Sequence, residues 1–330
     1  MRDHGGDLGA AVARHGGIPG DWIDLSTGIN RLPYDPPAFA AHALRDLPPP
    51  EDVAACAEAA RRAYGVAEAV DCLPLAGAQA AIQLLPRLRP PGRAAVLGPT
   101  YNEHAAAFAA AGWTVADRGT LEELAGFDAV VVVNPNNPDG RRWPPEAISA
   151  LTASNGLVVV DESFADVAPE VSVAAFLGRP GLVALRSFGK FFGLAGLRLG
   201  FALGARAEIA RLRDAAGPWS VAGPALAAGR LALDDAHWIR ATRARLGFHA
   251  RRLDQLAAGA GWTLVGGTGL FRLYDTPDAA AAQDALARHR IWSRRFPYSD
   301  RWLRLGLPGP EAEWHRVAEA LTRVAADRCP

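Results

Sequence analysis

Short apolar runs alternate with stretches of helical period over the first two thirds of the chain. Strands are predicted at residues 94–97, 113–115, 129–133, 157–160 and 182–187, and helices over 102–111 and 145–153. The runs are continuous: Val130 to Val133 are four valines in succession, and Val158 to Val160 three more. A strand that is apolar on both faces suits a parallel sheet covered on both sides; a half-exposed sheet would show every second residue polar. The rhythm therefore predicts a doubly wound α/β domain with a mostly parallel sheet. Polar residues gather just after the strand ends, where open sheets of this type hold ligands.

Beyond about residue 206 the pattern changes. Arg- and Ala-rich helical stretches cover 206–216 and 222–258. Short strands follow near 262–265 and 269–274, then a helix near 278–289 and a strand near 302–305. The Ala-rich stretches 54–63, 104–111 and 224–232 read as helices, since Ala is the strongest helix former. The predicted organisation has three parts. A Gly-rich N-terminal segment, 1–45, packs with a small domain. A large ligand-binding domain spans 46–215. A linking helix and a small C-terminal α+β domain span 216–330.

Composition narrows the function. Half the residues are hydrophobic, so a sizeable core is available, and 35 basic residues balance 35 acidic ones. A net charge of zero argues against a general nucleic-acid or membrane-surface binder. No apolar run is long enough to cross a bilayer, and the polar start Met-Arg-Asp-His-Gly-Gly-Asp lacks a signal core. The three cysteines, Cys56, Cys72 and Cys329, are odd in number and lack metal-ligand spacing. That predicts reduced thiols, a cytoplasmic protein and no metal.

Of the 35 Lys and Arg residues only one, Lys190, is lysine. Arg and Lys serve equally as surface cations, but only an amine loses its proton and attacks a carbonyl. A sole surviving lysine in Arg186-Ser-Phe-Gly-Lys190-Phe-Phe-Gly-Leu-Ala-Gly-Leu-Arg198 predicts a Schiff-base lysine. Asn137, Asp161 and Ser187 fall in order before it. Taken singly, Asn-Pro runs are turns, Asp161 is a helix cap, Ser187 a buried hydroxyl and Tyr101 core packing. Their joint order after buried strands, with the only lysine among them, points to one site.

Three segments carry a resemblance: Asn134-Pro-Asn-Asn-Pro-Asp-Gly140, Val160-Asp-Glu-Ser-Phe164 and Ser187-Phe-Gly-Lys190. In this order they resemble the cofactor motifs of the pyridoxal-phosphate enzymes with the aspartate aminotransferase fold, over about residues 4 to 325. The resemblance implies a seven-stranded-type sheet in the large domain and pyridoxal 5′-phosphate as cofactor. It also implies a homodimer whose active site uses both subunits. Lys190 and Asp161 would be catalytic, Lys190 as the cofactor's attachment and proton carrier, Asp161 as partner of the pyridinium nitrogen. Asn137 would bond the ring 3′-oxygen and Tyr101 stack on the ring. Ser187, Arg198 and the turn Gly77-Ala78-Gln79 would hold the cofactor phosphate.

Within the family, His4-Gly-Gly-Asp7, Asp24-Leu-Ser-Thr-Gly-Ile-Asn30 and Gly217-Pro-Trp-Ser-Val221 resemble the decarboxylating branch. Its members convert L-threonine O-3-phosphate to (R)-1-amino-2-propanol O-2-phosphate and carbon dioxide, for the aminopropanol arm of cobalamin synthesis. That implies a small phosphorylated amino acid as substrate. His4, Asn30, Arg304 and Arg294 would bind it, with Arg295 a one-residue alternative to Arg294. Phe164 departs from most of the family's aminotransferases, which carry Tyr there. Leu47, in Asp46-Leu47-Pro48, departs from a Tyr that reaches the neighbouring subunit. Two alternatives remain, a histidinol-phosphate aminotransferase and a non-catalytic pyridoxal-binding partner in the pathway.

Overall fold

The computed structural model describes residues 4–36 and 38–326, so Cys329 lies outside the described residues. Thirteen strands follow in chain order among them. These are β1 Ile23–Asp24, β2 Asp71–Leu75, β3 Arg93–Leu97, β4 Thr114–Arg118, β5 Ala129–Val133, β6 Leu157–Asp161, β7 Leu182–Ser187 and β8 Gly200–Gly204. The remainder are β9 Thr263–Thr268, β10 Phe271–Asp275, β11 Ile291–Trp292, β12 Arg294–Phe296 and β13 Ser299–Gly306. The chain divides into two compact units. Of the described residues, the larger takes 34–36, 38–137 and 141–240; the smaller takes 4–33, 138–140 and 241–326.

In the larger unit, seven strands form one sheet in the order β2-β8-β7-β6-β5-β3-β4. All neighbours are parallel except β8, which runs antiparallel to both β2 and β7. Every residue of β5 and β6 is buried, as their unbroken valine runs require. Each enclosed Val contributes about 1.5 kcal/mol or more by leaving water. A charge at Val131 would have no partner there.

Helix Pro50–Tyr64 shows how sequence sets boundaries. Pro50 opens it where no backbone donor is needed, Glu51 and Asp52 lie in its first turn, and Arg61 and Arg62 in its last. Gly65 ends it in the left-handed region at φ 65°. Its Cys56, Ala59 and Ala60 are buried. Helix Gly223–Asp234 comes close enough that a Cβ at Gly229 would lie 3.2 Å from the Cys56 sulfur. Arg62 and Asp234 pair at 2.9 Å. Residues 38–45 and 216–240 fall in the larger unit. The stretch 222–258 is two helices, Gly223–Asp234 and Ala236–Gly259. Asp235 separates them and accepts a hydrogen bond from Trp238 N at 2.9 Å.

The smaller unit contains a four-stranded antiparallel sheet, β12-β13-β10-β9, and a parallel pair, β1 with β11. Helix Ala279–Arg288 starts at Asp278, whose Oδ1 accepts from Ala280 N at 2.8 Å and Ala281 N at 3.0 Å. Helix Glu311–Ala326 buries Trp314, Val317, Ala320 and Leu321. The N-terminal segment is held here by β1 and by Arg31, whose Nε donates to Glu313 at 2.7 Å. No helix among the described residues is long and apolar enough to cross a membrane.

Candidate functional site

The larger unit gathers its polar residues at the ends of β5, β6 and β7. Strand register sets Val133 beside Asp161, and Asp161 beside Leu185, two residues before Ser187. Asn134 N closes the β5 end onto the Asp161 carbonyl at 2.9 Å. Asn137 lies in the following turn. That turn is fixed by Asn136, which accepts from the Thr100 hydroxyl at 2.6 Å and donates to the Pro99 carbonyl at 3.0 Å. Ser187 ends β7, and the short helix Phe188–Phe191 that follows carries Lys190. Gly189 permits that turn, because a Cβ there would lie 2.7 Å from Ala195 Cα. The Lys190 Nζ lies 5.9 Å from the ring centre of Phe164, which is buried.

Asp161 is only 3% exposed. Burial alone would push its carboxyl up. The hydrogen bond and charge of His104, together with the Ser163 hydroxyl and backbone N–H, outweigh burial and hold it below the ordinary aspartate value. His104 Nε2 lies 2.8 Å from Asp161 Oδ2, and the Ser163 N–H donates to Oδ1 at 2.9 Å. The result is a buried carboxylate that keeps its charge, the property needed to pair with a protonated ring nitrogen.

Gly77 has φ +78° and stands at the start of helix Ala78–Leu84. A Cβ at Gly77 would lie 2.6 Å from an Arg198 guanidinium nitrogen, and a Cβ at Gly200 would collide with Ala78 N. Two glycines thus let the turn 77–79, β8 and Arg198 close on one another. Arg198 itself is in the left-handed region at φ 53°. Tyr101 donates its hydroxyl to Gln79 Oε1 at 3.3 Å, and Gln79 Nε2 donates to Glu103 at 3.1 Å. The cradle at Gly77 and Arg198, the charged Asp161 and the single amine of Lys190 together fit pyridoxal phosphate.

The smaller unit holds the four residues expected at the substrate. His4 is exposed and lines a cavity of about 800 Å³ with Ser26, Trp292 and Arg294. The two glycines after His4 are required by packing: a Cβ at Gly5 would strike the Ser26 carbonyl, and Gly6 has φ +93°. Gly6 N donates to the Ser26 hydroxyl at 2.7 Å, which itself donates to Asp24 at 2.6 Å. Asn30 is buried and its side-chain oxygen accepts from Leu32 N at 3.1 Å. Arg304, 2% exposed, donates to the Ser26 carbonyl at 2.7 Å. In the β12–β13 register Arg294 sits directly opposite Arg304, and Arg295 opposite Leu303. The guanidinium carbons of Arg294 and Arg304 lie 5.1 and 5.9 Å from the centre of the Phe296 ring.

Three features escaped the sequence reading. His104 stands three residues after Tyr101 in an Ala-rich helix, and only the fold brings it to Asp161. Glu103 is buried beside Gln79. Arg186, adjacent to Ser187, forms a buried cluster: 2.9 Å to Glu162, 3.7 Å to Asp166 and 4.4 Å from its guanidinium carbon to the centre of the Tyr64 ring. It ties β6 to β7 behind Asp161 and Ser187. Trp219, in Gly217-Pro-Trp-Ser-Val221, is 59% exposed and has a left-handed backbone at φ 56°. Leu47 is 64% exposed.

The family model for aminotransferases of class I and II matches residues 21–321. The chain is 46% identical over 330 residues to the threonine-phosphate decarboxylase of Pseudomonas aeruginosa, covering 97% of each. It is 44% identical over 333 residues to the threonine-phosphate decarboxylase of a Sinorhizobium species, covering 97% of this chain and 98% of that one. Among solved structures it resembles histidinol-phosphate aminotransferase from Sinorhizobium meliloti in complex with pyridoxal 5′-phosphate. The TM-score is 0.79 at 22% identity, over 97% of this chain and 94% of that one, a likeness of fold.

Proposed function

The chain belongs to the class I and II aminotransferase family, and from that premise we propose that it is a pyridoxal-phosphate-dependent lyase. It decarboxylates L-threonine O-3-phosphate to (R)-1-amino-2-propanol O-2-phosphate and carbon dioxide, a step toward cobalamin. The observation that carries this reading is the pair Arg294 and Arg304, opposite each other in strand register beside the His4 segment. Two guanidiniums suit a substrate with both a phosphate and a carboxylate. Likeness to two threonine-phosphate decarboxylases along 97% of the chain supports it.

Lys190 would carry the cofactor on its Nζ, and Asp161 would face the ring nitrogen. Asn137 would serve the 3′-oxygen and Tyr101 the ring face. Ser187, Arg198 and the N–H groups of Gly77-Ala78-Gln79 would hold the phosphate. When bound, pyridoxal phosphate supplies the electron sink that accepts the pair left by the departing carboxylate. Asp161 serves that sink by keeping its own negative charge. Phe164 offers no hydroxyl, so Asn137 is left to bond the 3′-oxygen without a tyrosine beside it. Arg304 anchors the substrate phosphate, which leaves the carboxylate free to turn into the breaking orientation. Lys190 Nζ then delivers the proton that replaces carbon dioxide on Cα. An aminotransferase with the same residues would clamp the carboxylate and break the Cα–H bond instead.

The protein is expected to act as a homodimer and in the cytoplasm, where the buried free thiols of Cys56 and Cys72 stay reduced. The test is to mix cofactor-loaded protein with L-threonine O-3-phosphate and no keto acid. Carbon dioxide and aminopropanol phosphate are the expected products. Conversion of the cofactor to its amine form by histidinol phosphate, with no carbon dioxide, would make it an aminotransferase. Bound cofactor with no turnover of either compound would make it a non-catalytic partner.

A further inference from the structure

We propose that Ser26 is a positioning residue of the substrate site, one that holds the His4 segment with its hydroxyl and Arg304 with its carbonyl. The inference rests on the reading above, in which His4 and Arg304 bind a phosphorylated amino acid. Ser26 lies two residues beyond β1 and is buried. Its hydroxyl accepts from Gly6 N at 2.7 Å, two residues after His4. Its carbonyl accepts from the Arg304 guanidinium at 2.7 Å. His4, Gly5 and Ser26 all line the cavity of the smaller unit.

The geometry leaves Ser26 little freedom. Its hydroxyl donates to Asp24 Oδ1 at 2.6 Å, and its N–H donates to the same oxygen at 2.8 Å. A hydroxyl has one proton, and here a carboxylate takes it, so toward Gly6 the oxygen acts as an acceptor. The backbone on either side is pinned. Leu25 N donates to the Trp292 carbonyl at 2.8 Å, and Gly306 N donates to the Leu25 carbonyl at 2.6 Å. Gly306 stands two residues after Arg304 on β13, so the strand with the arginine and the segment with Ser26 form one framework. Gly5 completes it. A Cβ there would strike the Ser26 carbonyl oxygen, the atom that holds Arg304. The exposed start of the chain is thus set down on the residue that fixes the arginine. Holding two binding groups at a fixed offset before the substrate arrives removes the cost of ordering them on binding. Ser26 acts through His4 and Arg304 and need not touch the substrate itself.

The experiment compares three cofactor-loaded proteins: the native chain, Ser26→Ala, and Ser26→Thr, which keeps the hydroxyl. Three quantities are measured on each: amide hydrogen exchange at Gly6, calorimetric affinity for inorganic phosphate, and KM and kcat for L-threonine O-3-phosphate. Ser26→Ala should speed exchange at Gly6, weaken phosphate binding and raise KM, each by about fivefold, the worth of one ordinary hydrogen bond. Its kcat should stay within about twofold, a split that a general loosening of the fold would not give. Ser26→Thr should match the native chain in all three. Gly6 exchange or phosphate affinity in Ser26→Ala equal to that of the native chain overturns the proposal, as does no phosphate binding by the native chain. Should the native chain release no carbon dioxide while Ser26→Ala still exchanges faster at Gly6 and binds phosphate more weakly, the reaction reading falls and the positioning role stands.

Discussion

At the scale of single residues, Lys190 carries the most testable chemistry, because nothing else in the chain has a side-chain primary amine. Lys190→Ala should cost about a thousandfold or more in carbon dioxide release, the scale of losing a positioned acid–base group. It should also leave the cofactor unattached: after borohydride treatment, intact-protein mass should show the added cofactor in the native chain and not in the variant. Arg304 makes a second case. Arg304→Leu should raise KM for the phosphorylated substrate about tenfold or more while kcat changes less, and an unchanged KM would remove it from the substrate. Asp161 makes a third. Its folded-state value lies below the unfolded one, so as pH falls the unfolded chain takes up the proton first. The stability this carboxylate contributes is full above the ordinary aspartate value near ~3.9 and is lost as pH falls through its lower folded value. Urea unfolding of the native chain and Asp161→Asn should therefore differ by a constant amount above about pH 5, with the gap closing in acid. A gap independent of pH down to strong acid would contradict the depressed carboxyl. Lys190 and Asp161 were legible because rarity and motif order mark them. His104 was not, since its meaning lies in a partner across the fold.

At the scale of elements, the central strands were legible and the strands at one edge were not, for a stated reason. β5, β6 and β7 are continuous apolar runs, and predicted and observed bounds agree within a residue. β2 contains Pro74, which reads as a strand breaker. It is tolerated because β2 is the edge of the sheet, where one side needs no ladder donor. β8 begins and ends in glycine, and Gly200 is there for the close approach to the 77–78 turn, a demand invisible in local pattern. Gly200→Val should therefore do more than weaken a strand. It should push β8 off the turn and lower cofactor affinity together with the thermal midpoint, whereas cofactor affinity equal to that of the native chain would separate Gly200 from the site. The buried pair behind β6 and β7 behaves differently. Arg186→Met removes the cation and leaves Glu162 and Asp166 enclosed with like charge, a loss of about 3–5 kcal/mol measurable by denaturant unfolding.

At the scale of the whole molecule, the sequence resemblance implied that a tyrosine near residue 47 reaches a neighbouring subunit, and this chain has Leu47 in its place. Leu47 is 64% exposed and Leu44, three residues earlier, 72%. Two apolar side chains this exposed on a short segment suit burial against a second copy, and a net charge of zero adds no general repulsion between copies. A substitution at so exposed a position changes the stability of a single chain by only about 0.5 kcal/mol. Leu47→Glu therefore isolates association from folding. Sedimentation of the native chain at micromolar concentration should give twice the mass of one chain. The variant should dissociate at concentrations where the native chain does not, with an unchanged unfolding midpoint for the separated chains. A native chain that sediments as a single copy would end the two-copy proposal. A variant as tightly paired as the native chain would move the interface away from Leu47.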